Sequence, residues 1–363
     1  MIINKLEFLP ATENIYGVSW DGTSTTAWTR TDAAAGFPNP NPYVSGASSY
    51  GSPFDSISPW KDMVRVTDSA AGAMVKIPKF WYKLTQNGAG MKIQIADYAA
   101  GGFSVCPACM DRGDGKGERN YILVGRYHCA SDYKSKTGVK PKATTTRSSF
   151  RSSIKNLGTG IYMMDFATRF TIWLLYLVEF ADWNSQEKIG YGCGDNSAAQ
   201  NMGYTDTMPY HTGTTQSSRT TFGLGTQYRY IEGLWDNVRD WIDGCYYNSS
   251  GMYIIKNPAN ASDGSNGTLI GKPATQTSPD PARFPTGFSI VNVNNTFPTF
   301  IPSASEGSTT TYSCDVWNYS TNPCLNVGGY YQHSNAIGLF SIYAHSTTAS
   351  SYSSIGSRLM KLP

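Results

Sequence analysis

The sequence predicts an α+β protein, loop-rich, with small antiparallel sheets and two helices, and three observations lead there. Gly (36), Tyr (24) and Trp (9) are abundant while charged residues make up 15%, against about 25% in ordinary soluble domains. Short apolar runs alternate with Gly, Pro and Ser clusters along most of the chain, the punctuation of short strands and turns. Helical spacing of apolar residues shows in two stretches, both between residues 148 and 182. A hydrophobic share of 40% over 363 residues suffices for a core, and the length predicts one large domain plus a smaller one.

Residues 1–72 read as a separate small β-rich module. IYGVSW (15–20) is a short apolar run, and the stretch 36–59 carries too many turn signals for a long helix. Residues 73–363 form the main domain. Met74 to Leu84 reads as a strand broken at Pro78, Lys92 to Ile95 as its alternating partner, and Tyr121 to Tyr127 as the next strand. A first helix is expected over 148–157, with Thr144 to Thr146 as caps and Gly158 as its stop. A second is expected from Phe166 to Asp182, with Asp165 as N-cap. Phe166, Phe170, Trp173, Leu174, Leu177 and Ala181 recur on one face, widened by Leu175 and Val178, so that face should pack on a sheet. From Gly190 onward the chain reads as mostly loop, with Trp235 and Trp241 as core anchors.

Few residues suggest chemistry. Asp111, Asp114 and Glu118 fall near calcium-loop spacing, but the other EF-hand oxygens are lacking and Arg112 and Lys116 oppose a cation, which predicts a solvated hairpin loop. Cys106 and Cys109 form a lone CxxC. Zinc would need a second pair and a redox motif a following helix, which leaves a structural thiol pair. Cys314 and Cys324 would pair only if the loop around Trp317 folds back. No metal or cofactor is therefore expected. His128, His211, His333 and His345 are scattered, and no GxSxG, HExxH or Walker A pattern occurs, so no enzyme is expected. A net charge of +3 without a basic stripe argues against nucleic-acid binding. The most apolar segment, 170–181, is too short for membrane insertion. The N-terminus has neither the basic start nor the apolar run of a signal peptide.

The C-terminal segment is the most informative. Gly328–Ser354 holds seven Ser, four Tyr and two His, and no Lys, Arg, Asp or Glu. Tyr gives large, stiff contact area and Ser adaptable hydrogen bonding, the pairing found in antibody-like binding surfaces. VGG (327–329), GLF (338–340) and IGSRL (355–359) read as a fixed frame between these polar positions. On composition alone, Ser- and Tyr-rich edge strands and loops of a β-rich domain are the simpler account.

The pattern VGGYY…GLF…IGSRL, preceded by CDVW (314–317), resembles the variable repeat of diversity-generating-retroelement target proteins. In that family, adenine-directed mutagenesis rewrites chosen Asn codons, which cannot become Lys, Glu, Gln, Met or Trp. Gly328–Ser354 holds none of these except Gln332, which is then a fixed position or one from another template codon. YIEGLWDNVRDW (230–241) resembles a strand of formylglycine-generating-enzyme-like C-type lectin domains, and residues 165–184 look like the long helix before it. Residues 15–37 and 74–83 are similar to segments of prophage tail-fibre proteins. The resemblance covers roughly residues 75 to 363.

The resemblance implies a C-type lectin fold of the formylglycine-generating-enzyme-like subclass over 73–363, with a variable region over about 312–356. It implies a phage tail-fibre protein, made in the host cytoplasm and carried at the fibre tip of the virion. Its N-terminal module would serve virion attachment or oligomerisation. Its partners would be a host cell-surface protein or glycan, other tail proteins, and two further copies of itself in a homotrimer. The exposed variable face would comprise Tyr330, Tyr331, His333, Ser334, Asn335, Ser341, Tyr343, His345, Ser346, Ser351 and Tyr352, with Asn318, Tyr319 and Asn326 contributing. With no charge in the segment, binding should depend weakly on salt. The catalytic relatives use a cysteine pair near the C-terminus, and no Cys lies between Val327 and Pro363. Calcium-dependent sugar binding would need an EPN or QPD loop, which is absent from the sequence. A virion assembly protein without receptor binding, or a non-catalytic relative of formylglycine-generating enzymes, remain the alternatives.

Overall fold

One helix organises the molecule. The computed structural model describes residues 13–276, 282–293, 297–332 and 337–363, and within them helix α2, Phe166–Phe180, is buried at all fifteen positions. Asp165 starts it by accepting the Thr168 N–H at 2.9 Å. Ala181 ends it in the left-handed region at φ 51°. Arg30 donates to the Val178 and Glu179 carbonyls at 2.8 and 2.7 Å, which places a cation on the helix C-terminus. One apolar face was expected; instead strands and loops cover every side. The polar residues of α2 are accommodated by pairing. Glu179 meets Arg229 and accepts the Tyr228 hydroxyl at 3.0 Å, and Arg169 donates to the Leu234 and Leu339 carbonyls.

Around α2 the strands form several small sheets. Trp28–Asp32, Ile15–Trp20, Gly90–Ala96, Trp81–Asn87 and Ser104–Val105 make one antiparallel sheet in that order. Ile161–Met163, Leu359–Lys361, Tyr121–Gly125, Gly72–Pro78 and Val64–Asp68 make a second. A four-stranded sheet has the order Ile342–Ser346, Cys324–Val327, Arg239–Trp241, Ile355–Ser357, with the last pair parallel. The strand broken at Pro78 is two strands, and the first helix is α1, Arg147–Lys155, capped by Thr146. Around the boundary expected near residue 72, Val64–Asp68 pairs with Gly72–Pro78 and Ile15–Trp20 with Gly90–Ala96. Val18, Trp20, Phe54 and Trp60 belong to the same apolar core as Trp173 and Phe340.

The expected α+β class is corrected. Strands take 32% and helices 11% of the described residues, in several small sheets, so the chain is β-rich, and this architecture does not identify the C-type lectin fold that the resemblance implied. The reason lies beyond Gly190. That stretch read as loop, yet it holds thirteen strands among the described residues, most of two to four residues. Strands so short show no alternation, and their partners are remote in sequence. Among the described residues, no helix is long and apolar enough to cross a membrane.

Candidate recognition face

The frame residues of the C-terminal segment are held by side chains from outside it. The Asp315 carboxylate accepts the N–H groups of Gly338 and Phe340 at 2.6 and 2.8 Å. Ser185 accepts the Leu339 N–H, while Arg169 and Trp173 donate to the Leu339 carbonyl at 2.7 and 2.8 Å. The turn 338–340 is thus pinned from both sides of its backbone. Gly328 has φ 76°, and an added Cβ would lie 2.6 Å from the Leu234 carbonyl, so this position needs glycine. Arg358 is fully buried and donates to the carbonyls of Gly125, Arg126, Glu232 and Gly233.

The four-stranded sheet carries the expected face. Its register sets Asn326 opposite Tyr343 and Trp241, so the pleat places Asn326, Tyr343 and His345 on the same side as Arg239. Asn318 hydrogen-bonds His345 Nε2 through its amide nitrogen at 2.7 Å. His345, Ser351 and Tyr352 are exposed, Tyr352 by half, and Tyr330 is partly so.

The remaining positions divide differently from the sequence expectation. Exposure is corrected for Tyr331, Ser341, Tyr343 and Ser346, all buried, and Asn318, Tyr319 and Asn326 are buried with them. Tyr331 is held by backbone bonds to Asn237 and Asn196. Ser341 follows the pinned turn, Ser346 lies opposite Cys324 in the sheet, and Tyr343 lies under Arg239. Tyr319 donates to the Asn248 carbonyl at 2.6 Å and packs on Tyr247. His333, Ser334 and Asn335 lie outside the described residues.

Sequence reading missed Arg239. Its guanidinium stands 3.7 Å from the centre of the Tyr343 ring and 5.0 Å from that of Tyr330. Lys272 Nζ lies 5.2 Å over Tyr319. Partial burial, then the charges of Arg239 and Arg283, push the His345 imidazole below its ordinary value. The weak salt dependence was argued from an uncharged segment, whereas the charges come from outside it. The one available signal was an Arg between apolar and aromatic residues in DNVRDW.

Two buried carboxyls give the fold a pH dependence. Burial raises Asp315 to about 7, against the N–H groups of Phe340 and Gly338 and the charge of Arg169. Burial raises Glu232 to about 7 as well, against bonds from Thr205 and Gly203. The folded chain therefore keeps protons that the unfolded chain releases. Their contribution is full below about pH 4 and is lost as pH rises to about 7. His211, depressed by burial, acts in the opposite direction below its ordinary pKa. We expect the unfolding free energy to fall by roughly 2 kcal/mol or more between about pH 5 and pH 8, and Glu232→Gln to flatten part of that slope. Urea titrations at several pH values measure this; stability rising over that range would contradict it.

The other sequence candidates are structural. All seven cysteines, including Cys106, Cys109, Cys314 and Cys324, are free and buried. Asp111 accepts the Gly113 N–H and Asp114 pairs with Arg119, so these carboxylates close their own loop. Among the described residues no group of three His, Cys, Asp or Glu is placed to hold a metal ion. No protein-family model matches the chain, and neither does any curated protein.

Proposed function

We propose that the chain is the receptor-binding component of a phage or prophage tail fibre, and that its C-terminal face binds host-surface ligands non-covalently and is diversified by a retroelement. One observation carries this reading: Gly328, Gly338–Phe340 and Arg358 are fixed by groups lying mostly outside the segment, while His345, Ser351 and Tyr352 between them are exposed. A frame anchored that way tolerates change at the positions it presents. The proposed partners are a host cell-surface protein or glycan and other tail proteins, in a virion, with a homotrimer supplying avidity. No catalytic step is assigned.

The test is sequencing of this locus in related phage isolates, with a search nearby for a template copy of its 3′ end. Substitutions confined to template adenines at the codons named above support the reading. A uniform spread without a template removes it.

A second reading, a virion assembly protein whose C-terminus packs on a neighbour, draws on the burial of Tyr331, Ser341, Tyr343 and Ser346. The two part at one experiment. Replacing Ser351 and Tyr352 together by Ala should change the unfolding free energy by less than about 0.5 kcal/mol per site. Particles carrying the variant should assemble normally and lose host adsorption; a loss of assembly instead favours the second reading.

A further inference from the structure

The strand Val64–Asp68 lies at the rim of its sheet, where its one partner strand is Gly72–Pro78. Thr67 stands opposite Ala73, whose N–H and carbonyl both turn the other way, to the Ser135 carbonyl and the Arg126 N–H. Thr67 and, by the alternation of an antiparallel ladder, Arg65 therefore direct their N–H and C=O groups away from the sheet. Among the described residues these four groups have no backbone partner. The opposite rim strand, Ile161–Met163, is packed on helix α1 instead. An open rim of this kind is a template for an added strand. The two faces of Val64–Asp68 differ in chemistry. Arg65 and Thr67 share the face of Ala73 and border a cleft of about 370 Å³ that Arg126, Tyr127 and Asp206 complete. Arg65 is exposed there, its guanidinium 5.3 Å from the centre of the Tyr230 ring, and no carboxylate pairs with it among the described residues. Asp206 is the one acid of the cleft and pairs with Arg126 at 3.2 Å, so two cations face one carboxylate. On the other face lie Val64, 42% exposed, Val66, and Asp68, which Lys361 meets at 2.6 Å.

We propose that this rim takes, as an added strand, an extended segment of another protein in which acidic and apolar residues alternate. The backbone of that segment bonds Arg65 and Thr67. Its acidic side chain enters the cleft beside Arg65, and its apolar side chains continue the row of Val64 and Val66. A second copy of this chain is the poorer occupant, because it brings its own Arg65 to the same rim and like charges across a strand pair repel. A cation in the middle of a rim strand guards against such self-pairing, and what it repels in a copy it attracts in an acidic strand. The rim and the C-terminal face share no residue, so either can bind without the other.

The full chain is titrated with a synthetic peptide alternating Glu and Val, with its Gln–Val and Lys–Val counterparts, and with a Glu–Val peptide N-methylated along its bonding edge. Glu–Val should bind about fivefold more tightly than Gln–Val, and Lys–Val more weakly than either. The N-methylated peptide, which lacks the N–H groups of that edge, should show no binding. Thr67→Pro removes an outward N–H and leaves the bonds to Gly72–Pro78 in place, so it should abolish binding with little change in melting. Arg65→Glu should reverse the order of the peptides, with Lys–Val now the tightest. Where Thr67→Pro fails to fold, the N-methylated peptide decides alone. No binding of Glu–Val, binding that survives N-methylation, or an order of peptides unchanged in Arg65→Glu overturns the proposal. Sedimentation of the chain without peptide is run alongside: a dimer that Thr67→Pro abolishes makes a second copy the occupant and overturns it as well.

Discussion

Replacing Arg358 by Met is expected to lower the unfolding free energy by roughly 4 kcal/mol, enough to leave a marginal protein largely unfolded. Arg358 donates to four backbone carbonyls from two separate segments, and its Nε lies 3.4 Å from Asp240 Oδ2. Asp240 is itself buried and bonded to His128 Nδ1 at 2.9 Å. Burial opposes its charge, but His128 and Arg358 hold the Asp240 carboxyl below the usual range. Met fills comparable volume, yet it takes the guanidinium from the carboxylate, leaving only His128 beside it, and removes a donor from each of the four carbonyls. Denaturant unfolding followed by tryptophan fluorescence measures the loss. Adding Asp240→Asn should recover part of it, because the stranded charge is then gone. A single variant within about 1 kcal/mol of the parent would show that the network contributes little.

The second large effect is expected at Trp173, where Ala should cost about 4 kcal/mol. Its ring meets Phe166, Phe170, Phe300, Trp317 and Phe340, and its Nε1 holds the Leu339 carbonyl. The substitution therefore opens a void in the core and frees one anchor of the turn 338–340. Trp173→Phe retains much of the packing and loses the hydrogen bond, so about 1 kcal/mol of further loosening should be confined to that turn. Hydrogen exchange at Phe340 and Ser341 reads this difference. Protection there equal to the parent's would remove the coupling between helix and turn.

The long helix and the strands before residue 130 were legible, whereas the strands beyond Gly190 were not, including the hairpin Gly287–Val293 with Phe297–Ala304. Helix α2 announced itself through Phe166, Phe170, Trp173 and Leu177 at helical spacing and through Asp165 before them. The hairpin Trp81–Asn87 with Gly90–Ala96 showed in its alternation. Strands such as Arg239–Trp241 and Ile355–Ser357 have three residues each, too few for a period, and their parallel pairing joins positions more than a hundred residues apart. Their number turned an expected α+β protein into a β-rich one. The frame VGG, GLF and IGSRL was readable because Gly, Leu and Phe among polar residues invite burial. Which polar residues face outward was not readable. Ser341 and Ser351 are the same residue type, and one is enclosed by the pinned turn while the other is exposed. Arg239 was missed for a related reason: its place depends on the strand register, not on its own segment.

The strand Leu359–Lys361 lies inside its sheet, between Ile161–Met163 and Tyr121–Gly125, and Lys361 reaches Asp68 at 2.6 Å. Translation must therefore pass residues 312–356 before that sheet can close. A frameshift or premature stop within residues 312–356 would yield a chain with a gap inside a sheet, not a shorter folded protein. Such products would expose unpaired strand edges and be open to proteolysis. Completion of this sheet therefore depends on an intact reading frame through residues 312–356.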